Sequence, residues 1–387
     1  MGRLRTKKKV ATKATDPPLQ PHNASPSKTE PPSVQSLLEK AESLIEQCDY
    51  ELASRFARRV LEQEPTNVAA KEMLGVSLLE TGDIMSAKET FLSLIPPSPS
   101  APAAAPPSAY LYLAQLTDDE PRLALQYYQS AIDIFTSQLK GKERATGDLS
   151  PEDDAELRSN VVRALIAMVE IWMDPSYDLC FDPAAEKTCE DLLSLALQMD
   201  SGNAEALQAL ASVRMSQQRP DEAKECLEKS WTAWKDLDAD DPRLPPLQTR
   251  LALVKLFLEL SLFTPALLVL RGVIDTDDQE VEAWYLEGWC FFLMSEHAQE
   301  NGGQLDEMTW QELAKDARDC LEACRVLHTN QEHPDHPLLD HANELISKLD
   351  ELGIKASPAD DEAGDEGEWG DVEGSEDEDE DGDVEMK

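Results

Sequence analysis

The chain has 387 residues, with 35 lysines and arginines against 77 aspartates and glutamates, a net charge of −42. A field of that sign repels nucleic-acid phosphates and anionic membrane and attracts basic polypeptide. No apolar run reaches the length of about 18 residues that would suggest a membrane span, and no hydrophobic stretch follows the charged N-terminus as in a secretory signal. A soluble intracellular protein with a basic partner is therefore expected. The seven cysteines, an odd number lying mostly in helical patterns, read as free thiols in a reducing compartment.

Residues 1–33 carry seven basic and two acidic side chains and then become rich in proline and serine, without an apolar period. That composition predicts a disordered arm, and its cluster of Arg3, Arg5, Lys7, Lys8 and Lys9 is a candidate nuclear import signal for import factors. From Val34 to Pro99 one helical pattern occurs twice at a spacing of 34 residues, Ala41 being answered by Gly75, Ala53 by Ala87, Ala57 by Phe91 and Pro65 by Pro99. Leu74 and Gly75 in a first helix, a turn at Gly82, then Ala and Phe in a second helix form the tetratricopeptide pattern. Small residues let the paired helices approach, and the aromatic fills the gap toward the next pair. One pair cannot bury its apolar face alone, so a stack is predicted.

Residues 95–108 (IPPSPSAPAAAPPS) predict an extended insertion. Helix resumes at Ala109, and Ala124, Tyr128, Ala131 and Ile132 recreate the second-helix spacing, with Tyr128 in the place of Phe91. A loop is expected over residues 140–152, then a long amphipathic helix over 153–173 with a partner over 183–199. The register returns with Cys189, Leu193 and Ala196, 34 residues before Ala223, Leu227 and Ser230. A sixth repeat runs from about Leu247 to Ile274. The seventh opens with Trp284, Gly288 and Phe291, and an insertion near residues 298–309 delays its second helix, Trp310 to Leu327. Residues 337–353 predict a final helix ending at Gly353, a lid for the last apolar face. The predicted fold is all-α: a superhelix of about seven helix pairs with a C-terminal capping helix over residues 34–355, followed by a disordered acidic tail over residues 356–387. Residues 360–387 carry sixteen acidic side chains and one basic, which leaves about −32 on residues 34–359.

No nucleophile with a base and orienter and no phosphate-binding glycine loop is present, so the chain reads as a binding protein, not an enzyme, without cofactor. Cys320 and Cys324, followed by His328, His333, His336 and His341, lack a close Cys-x2-Cys pair, and packing accounts for them better than zinc does. Ligands are expected on the inner face of the superhelix, at exposed positions of the first helices. The register places Leu38, Glu42, Glu72, Val76, Glu205, Gln208, Leu251, Glu282, Tyr285 and Trp289 there. Carboxylates mixed with aromatic anchors suit a basic extended segment. The subclass of these repeats that clamps the acidic C-terminus of Hsp90 or Hsp70 uses Lys, Arg and Asn where this chain has Leu38, Glu42 and Met73, the wrong charge for that task.

Together, the start MGRLRTKKK, the repeat from Val34, the Leu-Gly-x6-Gly-Asp run of Leu74 to Asp83, the EAWYLEGW run of Glu282 to Trp289 and the tail EWGDVEGSEDEDEDGDVEMK are similar to a fungal family, the dedicated assembly chaperones of ribosomal protein L4 of the large subunit. The resemblance implies a chaperone, in cytoplasm and nucleus, that holds the long basic internal loop of its newly made client and escorts it to the nuclear pre-ribosome; separately, a monomer is expected. Neither nucleic acid nor membrane is an expected direct partner. A histone chaperone would also join such repeats to acidic tracts, and a scaffold in a nuclear multiprotein complex would bind partner helices through apolar surface.

Overall fold

A computed structural model describes residues 32–144, 151–305 and 307–357. The import-signal candidates Arg3, Arg5, Lys7, Lys8 and Lys9 and nearly all of the acidic tail lie outside the described residues. The chain divides into two compact units, one through Leu116 and one from Thr117. The first contains α1 (Val34–Glu46), α2 (Tyr50–Gln63), α3 (Val68–Glu80), α4 (Ile84–Leu92) and α5 (Pro107–Gln115). The second contains α6 (Pro121–Arg144), α7 (Pro151–Met173), α8 (Ala185–Met199), α9 (Ala204–Ser216), α10 (Pro220–Thr232), α11 (Leu247–Glu259), α12 (Phe263–Ile274), α13 (Val281–Glu300), α14 (Trp310–Asn330) and α15 (His336–Glu351). The ends of the loop expected over residues 140–152 are thus helical, and residues 145–150 fall outside the described chain. The late insertion is a small hairpin in which Gln304–Leu305 pairs antiparallel with Met308–Thr309.

Side chains set the helix starts. Ser33, Asp49, Asn67 and Asp83 each accept a backbone N–H at the beginning of α1 to α4, and Asn203 does so for α9. Thr309 and Glu312 form a reciprocal capping box at α14. Helix ends share another device: Cys48, Gly82, Gln218, Ser261, Glu332 and Gly353 all have positive φ, between 50° and 82°. Around each, the same two hydrogen bonds close the preceding helix, as in Asp83 N to Leu78 O at 2.9 Å and Gly82 N to Leu79 O at 3.0 Å. Three of these turns, at Cys48, Gly82 and Gln218, fall on the 34-residue register, so there the period repeats a turn geometry as well as an apolar stripe.

Within each pair the helices touch through small residues. Ala41, Ala53, Ala57 and Ala87 are fully buried, and a Cβ on Gly75 would lie 2.6 Å from ring atoms of Phe91. Phe91 in turn stacks on Tyr112 of α5, ring centroids 4.7 Å apart, which links the second pair to the next helix. A buried side chain of this size contributes about 1.5–3 kcal/mol. In the second unit Gly288 does the same for Leu321, whose Cγ would lie 2.7 Å from an added Cβ. Helix α15 lays Ala342, Leu345, Ile346 and Leu349 over Phe292, Ala317 and Leu321, covering the last pair. All seven cysteines are free thiols, and among the described residues no helix is long and apolar enough to cross a membrane.

Candidate functional site

In the second unit the first helices of successive repeats, α7, α9 and α11, enclose a cleft of about 520 Å³. Its walls are Ile166, Val169, Glu170 and Met173 from α7, Glu205, Gln208, Ala209 and Ser212 from α9, and Gln248, Thr249, Ala252, Lys255 and Leu256 from α11. The exposed wall surface is mostly apolar, from Ile166, Val169, Met173 and Leu256 with the stems of their polar neighbours, and Glu170, Glu205 and Lys255 bring the charges. Gln208 Nε2 donates to the Thr249 carbonyl at 3.1 Å, tying α9 to the first turn of α11.

Glu170 keeps contact with solvent, yet the walls around it strip enough water to push its pKa above the ordinary glutamate value, and the Glu205 carboxylate adds to the push. Behind it, burial drives the Tyr128 hydroxyl up to about 12, with Glu170 and Asp118 contributing. Among the described residues neither Glu170 nor Glu205 has a cationic partner. Lys255, on the opposite wall, is committed elsewhere: its Nζ lies 2.6 Å from a carboxylate oxygen of Glu282 on α13. The cleft is thus a trough of mostly apolar surface in which two carboxylates, Glu170 and Glu205, form no ion pair among the described residues. A Lys or Arg side chain fits it chemically, its aliphatic stem along the trough and its charged head at Glu170 and Glu205.

Of the residues expected on the inner face, Glu205 and Gln208 line this cleft, and Glu282 stands beside it through Lys255. Leu251 does not belong there. It is fully buried in the core with Val254, Phe257 and Leu286. Helix α11 is apolar on nearly every side, so the register alone does not separate its outward stripe from its packed one, and Gln248, Ala252 and Lys255 form the outward stripe. Tyr285 and Trp289 are half-buried against the capping helix. Tyr285 Oη lies 2.6 Å from His341 Nδ1, and the Trp289 ring meets the His341 ring edge-on, centroids 5.5 Å apart. Burial first, with nearby acidic groups, raises the Tyr285 hydroxyl to about 12. The expectation that these two rings stand open to a ligand is corrected: they join α13 to α15.

In the first unit Leu38 packs beside Leu37 and Val60, Glu42 is exposed and Val76 is half-buried. Glu72 accepts a short hydrogen bond from Ser108 Oγ at the start of α5. The Tyr112 hydroxyl is raised by burial and then by the charges of Glu80 and Glu72. Tyr112 and Glu80 were not singled out by the repeat register, and neither were the α7 residues. The cysteines and histidines near the C-terminus are spent on packing: the Cys320 thiol lies 3.5 Å from a Glu287 carboxylate oxygen, and His328 Nε2 lies 2.9 Å from the Asp335 carbonyl. Among the described residues no three His, Cys, Asp or Glu side chains come together as metal ligands.

Comparison with known proteins agrees with this architecture. A tetratricopeptide repeat family model matches residues 204–230, the α9–α10 pair. A protein of Schizosaccharomyces pombe named probable assembly chaperone of rpl4 is 32% identical over 347 residues, 89% of this chain and 98% of that protein. Its namesake in Emericella nidulans is 29% identical over 371 residues, 91% of each. The solved structure of residues 1–338 of the assembly chaperone of RpL4, Acl4, superposes with a TM-score of 0.62 at 28% identity, covering 70% of this chain and all of that one. The chain belongs to the family of assembly chaperones of rpl4, which are tetratricopeptide-repeat chaperones and not enzymes.

Proposed function

We propose that this protein binds newly made ribosomal protein L4 by laying a basic extended segment of it along the first-helix face, keeps it soluble, and escorts it from the cytoplasm to the nuclear pre-ribosome. The observation that carries this reading is the pair Glu170 and Glu205: two carboxylates in one apolar cleft, without a cationic partner among the described residues and with Glu170 already resisting ionisation. Such a site gains most from a cation brought by a partner. An unassembled ribosomal protein carries Lys and Arg that await rRNA and would otherwise bind nucleic acid indiscriminately. Covering those charges protects the client, and the denser phosphates of rRNA then compete for the same groups. The family names support the identity of the client, and the excess of acidic over basic side chains supports the sign of its charge.

Capture of L4 from a lysate by the tagged full chain, followed by the same capture with Glu170 and Glu205 changed to Gln, tests the reading. L4 as the stoichiometric partner, lost on the double change, is the expected result. Histones in its place, or capture indifferent to the change and to salt, would favour the histone chaperone or the apolar scaffold.

A further inference from the structure

The proline-rich insertion is held on the first unit by a buried cation. Lys71 of α3 is only 7% exposed, and its Nζ donates to Ser100 Oγ at 3.2 Å. Ser100 Oγ donates to the Ser93 carbonyl at 3.1 Å and lies 3.1 Å from Ser98 Oγ. Among the described residues Lys71 makes no ion pair, although the chain offers 77 carboxylates. A buried ammonium whose recorded partner is one neutral hydroxyl, Ser100 Oγ, is an unfavourable arrangement that an anion would relieve.

Ser98 is positioned to carry that anion. It is followed by Pro99 and preceded by Pro97, both exposed, in a stretch of turns between α4 and α5. We infer that Ser98 is a phosphorylation site for a proline-directed kinase and that Lys71 is the cation that receives the phosphate. In the step itself the Ser98 hydroxyl oxygen attacks the γ-phosphorus of ATP. The bond from that phosphorus to the β–γ bridging oxygen breaks, ADP leaves, and the hydroxyl proton passes to the kinase's base. The product carries about −1.5 to −2 charge one hydroxyl away from the buried ammonium, close enough for a charge-assisted hydrogen bond.

Ser-Pro pairs also occur at Ser25, Ser150 and Ser357, so the dipeptide alone does not select Ser98. The surroundings do. Ser357 Oγ donates to the Asp319 carboxylate at 2.6 Å, where a phosphate would be repelled, whereas Ser98 faces the Lys71 network. The consequence is local: the insertion would be tied to α3 by a charged contact at Lys71, next to Glu72, which already takes the Ser108 hydroxyl from the insertion's far end.

The test treats the full chain, with Ser25, Ser150 and Ser357 changed to Ala, with a proline-directed kinase and ATP. Mass spectrometry maps the product, and ³¹P NMR follows the phosphate's second ionisation. The expected result is incorporation at Ser98, abolished by Ser98→Ala, with a second pKa lowered by about half a unit or more from the usual value near 6. Lys71→Met should return that pKa to the value in a free phosphopeptide, and Lys71→Arg should keep it low, which covers the case in which Lys71→Met fails to fold. No incorporation at Ser98, or a phosphate that titrates as in the free peptide, would overturn the inference.

Discussion

Glu170 of α7 titrates above an ordinary glutamate because the cleft walls remove water from it and because the Glu205 carboxylate of α9 adds repulsion. Repeat stacking therefore sets two like charges in one trough, and what looks like a defect in the isolated chain is the feature a cationic ligand would complete.

The sign of the effect on stability follows. A carboxyl whose folded pKa is raised favours folding fully below its unfolded pKa and loses that contribution as pH rises through the folded value. At neutral pH the ionised Glu170 thus opposes folding. Glu170→Gln should stabilise the free chain at pH 7 by a fraction of a kcal/mol, below about 1 because the group meets solvent, and the gain should vanish as pH falls below about 4. Urea unfolding of both proteins across that range measures it; a destabilised variant at neutral pH would contradict the assignment.

Lys255 is the cleft's internal competitor. Its ion pair with Glu282, 2.6 Å long but half-exposed on the lysine side, holds a positive charge where a basic ligand would arrive. Lys255→Met should tighten binding of basic L4 about threefold to tenfold, mainly at low salt, as read by titration calorimetry. Weaker binding would show that Lys255 contacts the ligand favourably instead.

Tyr285 separates a seam from a groove. Removing its hydroxyl in Tyr285→Phe breaks the bond to His341 and should cost about 1 kcal/mol of stability while leaving L4 affinity within twofold. A large loss of affinity at unchanged stability would restore the ring to the binding face.

The shared turn gives a paired prediction. Gln218 sits at φ 58° where Gly82 has φ 82° in its own repeat, so Gln218→Gly should be neutral to stabilising by about 0.5 kcal/mol, the relieved strain outweighing the added chain entropy. Gly75→Ala should instead cost about 1–3 kcal/mol, since the new Cβ meets the Phe91 ring. Thermal midpoints of the two variants should move in opposite directions or, at the least, differ by several degrees.

These residues also mark what could be read before the fold was known. Gly75 and Phe91 announce the helix pair because close approach and gap filling are local and recur at 34 residues, and Glu205 and Gln208 follow from the same register. Glu170 was hidden because the α7–α8 connection is lengthened by residues 174–184, including the 3-10 turn Asp178–Phe181, so the period fails where the cleft begins. Leu251 was misplaced because α11 is apolar nearly all round. Tyr285 and Trp289 were misread for another reason: the repeat pattern fixes where a residue sits on its own helix, but His341 of a late helix decides what covers it.

The most direct measurement is the affinity of the full chain for purified L4, at low and high salt, with Glu170 and Glu205 intact and both changed to Gln. The account predicts at least a tenfold loss at low salt and a flatter salt dependence for the double variant, in a protein no less stable than its parent. Equal affinities and equal salt slopes would show that the client binds elsewhere and that the paired carboxylates are not its site.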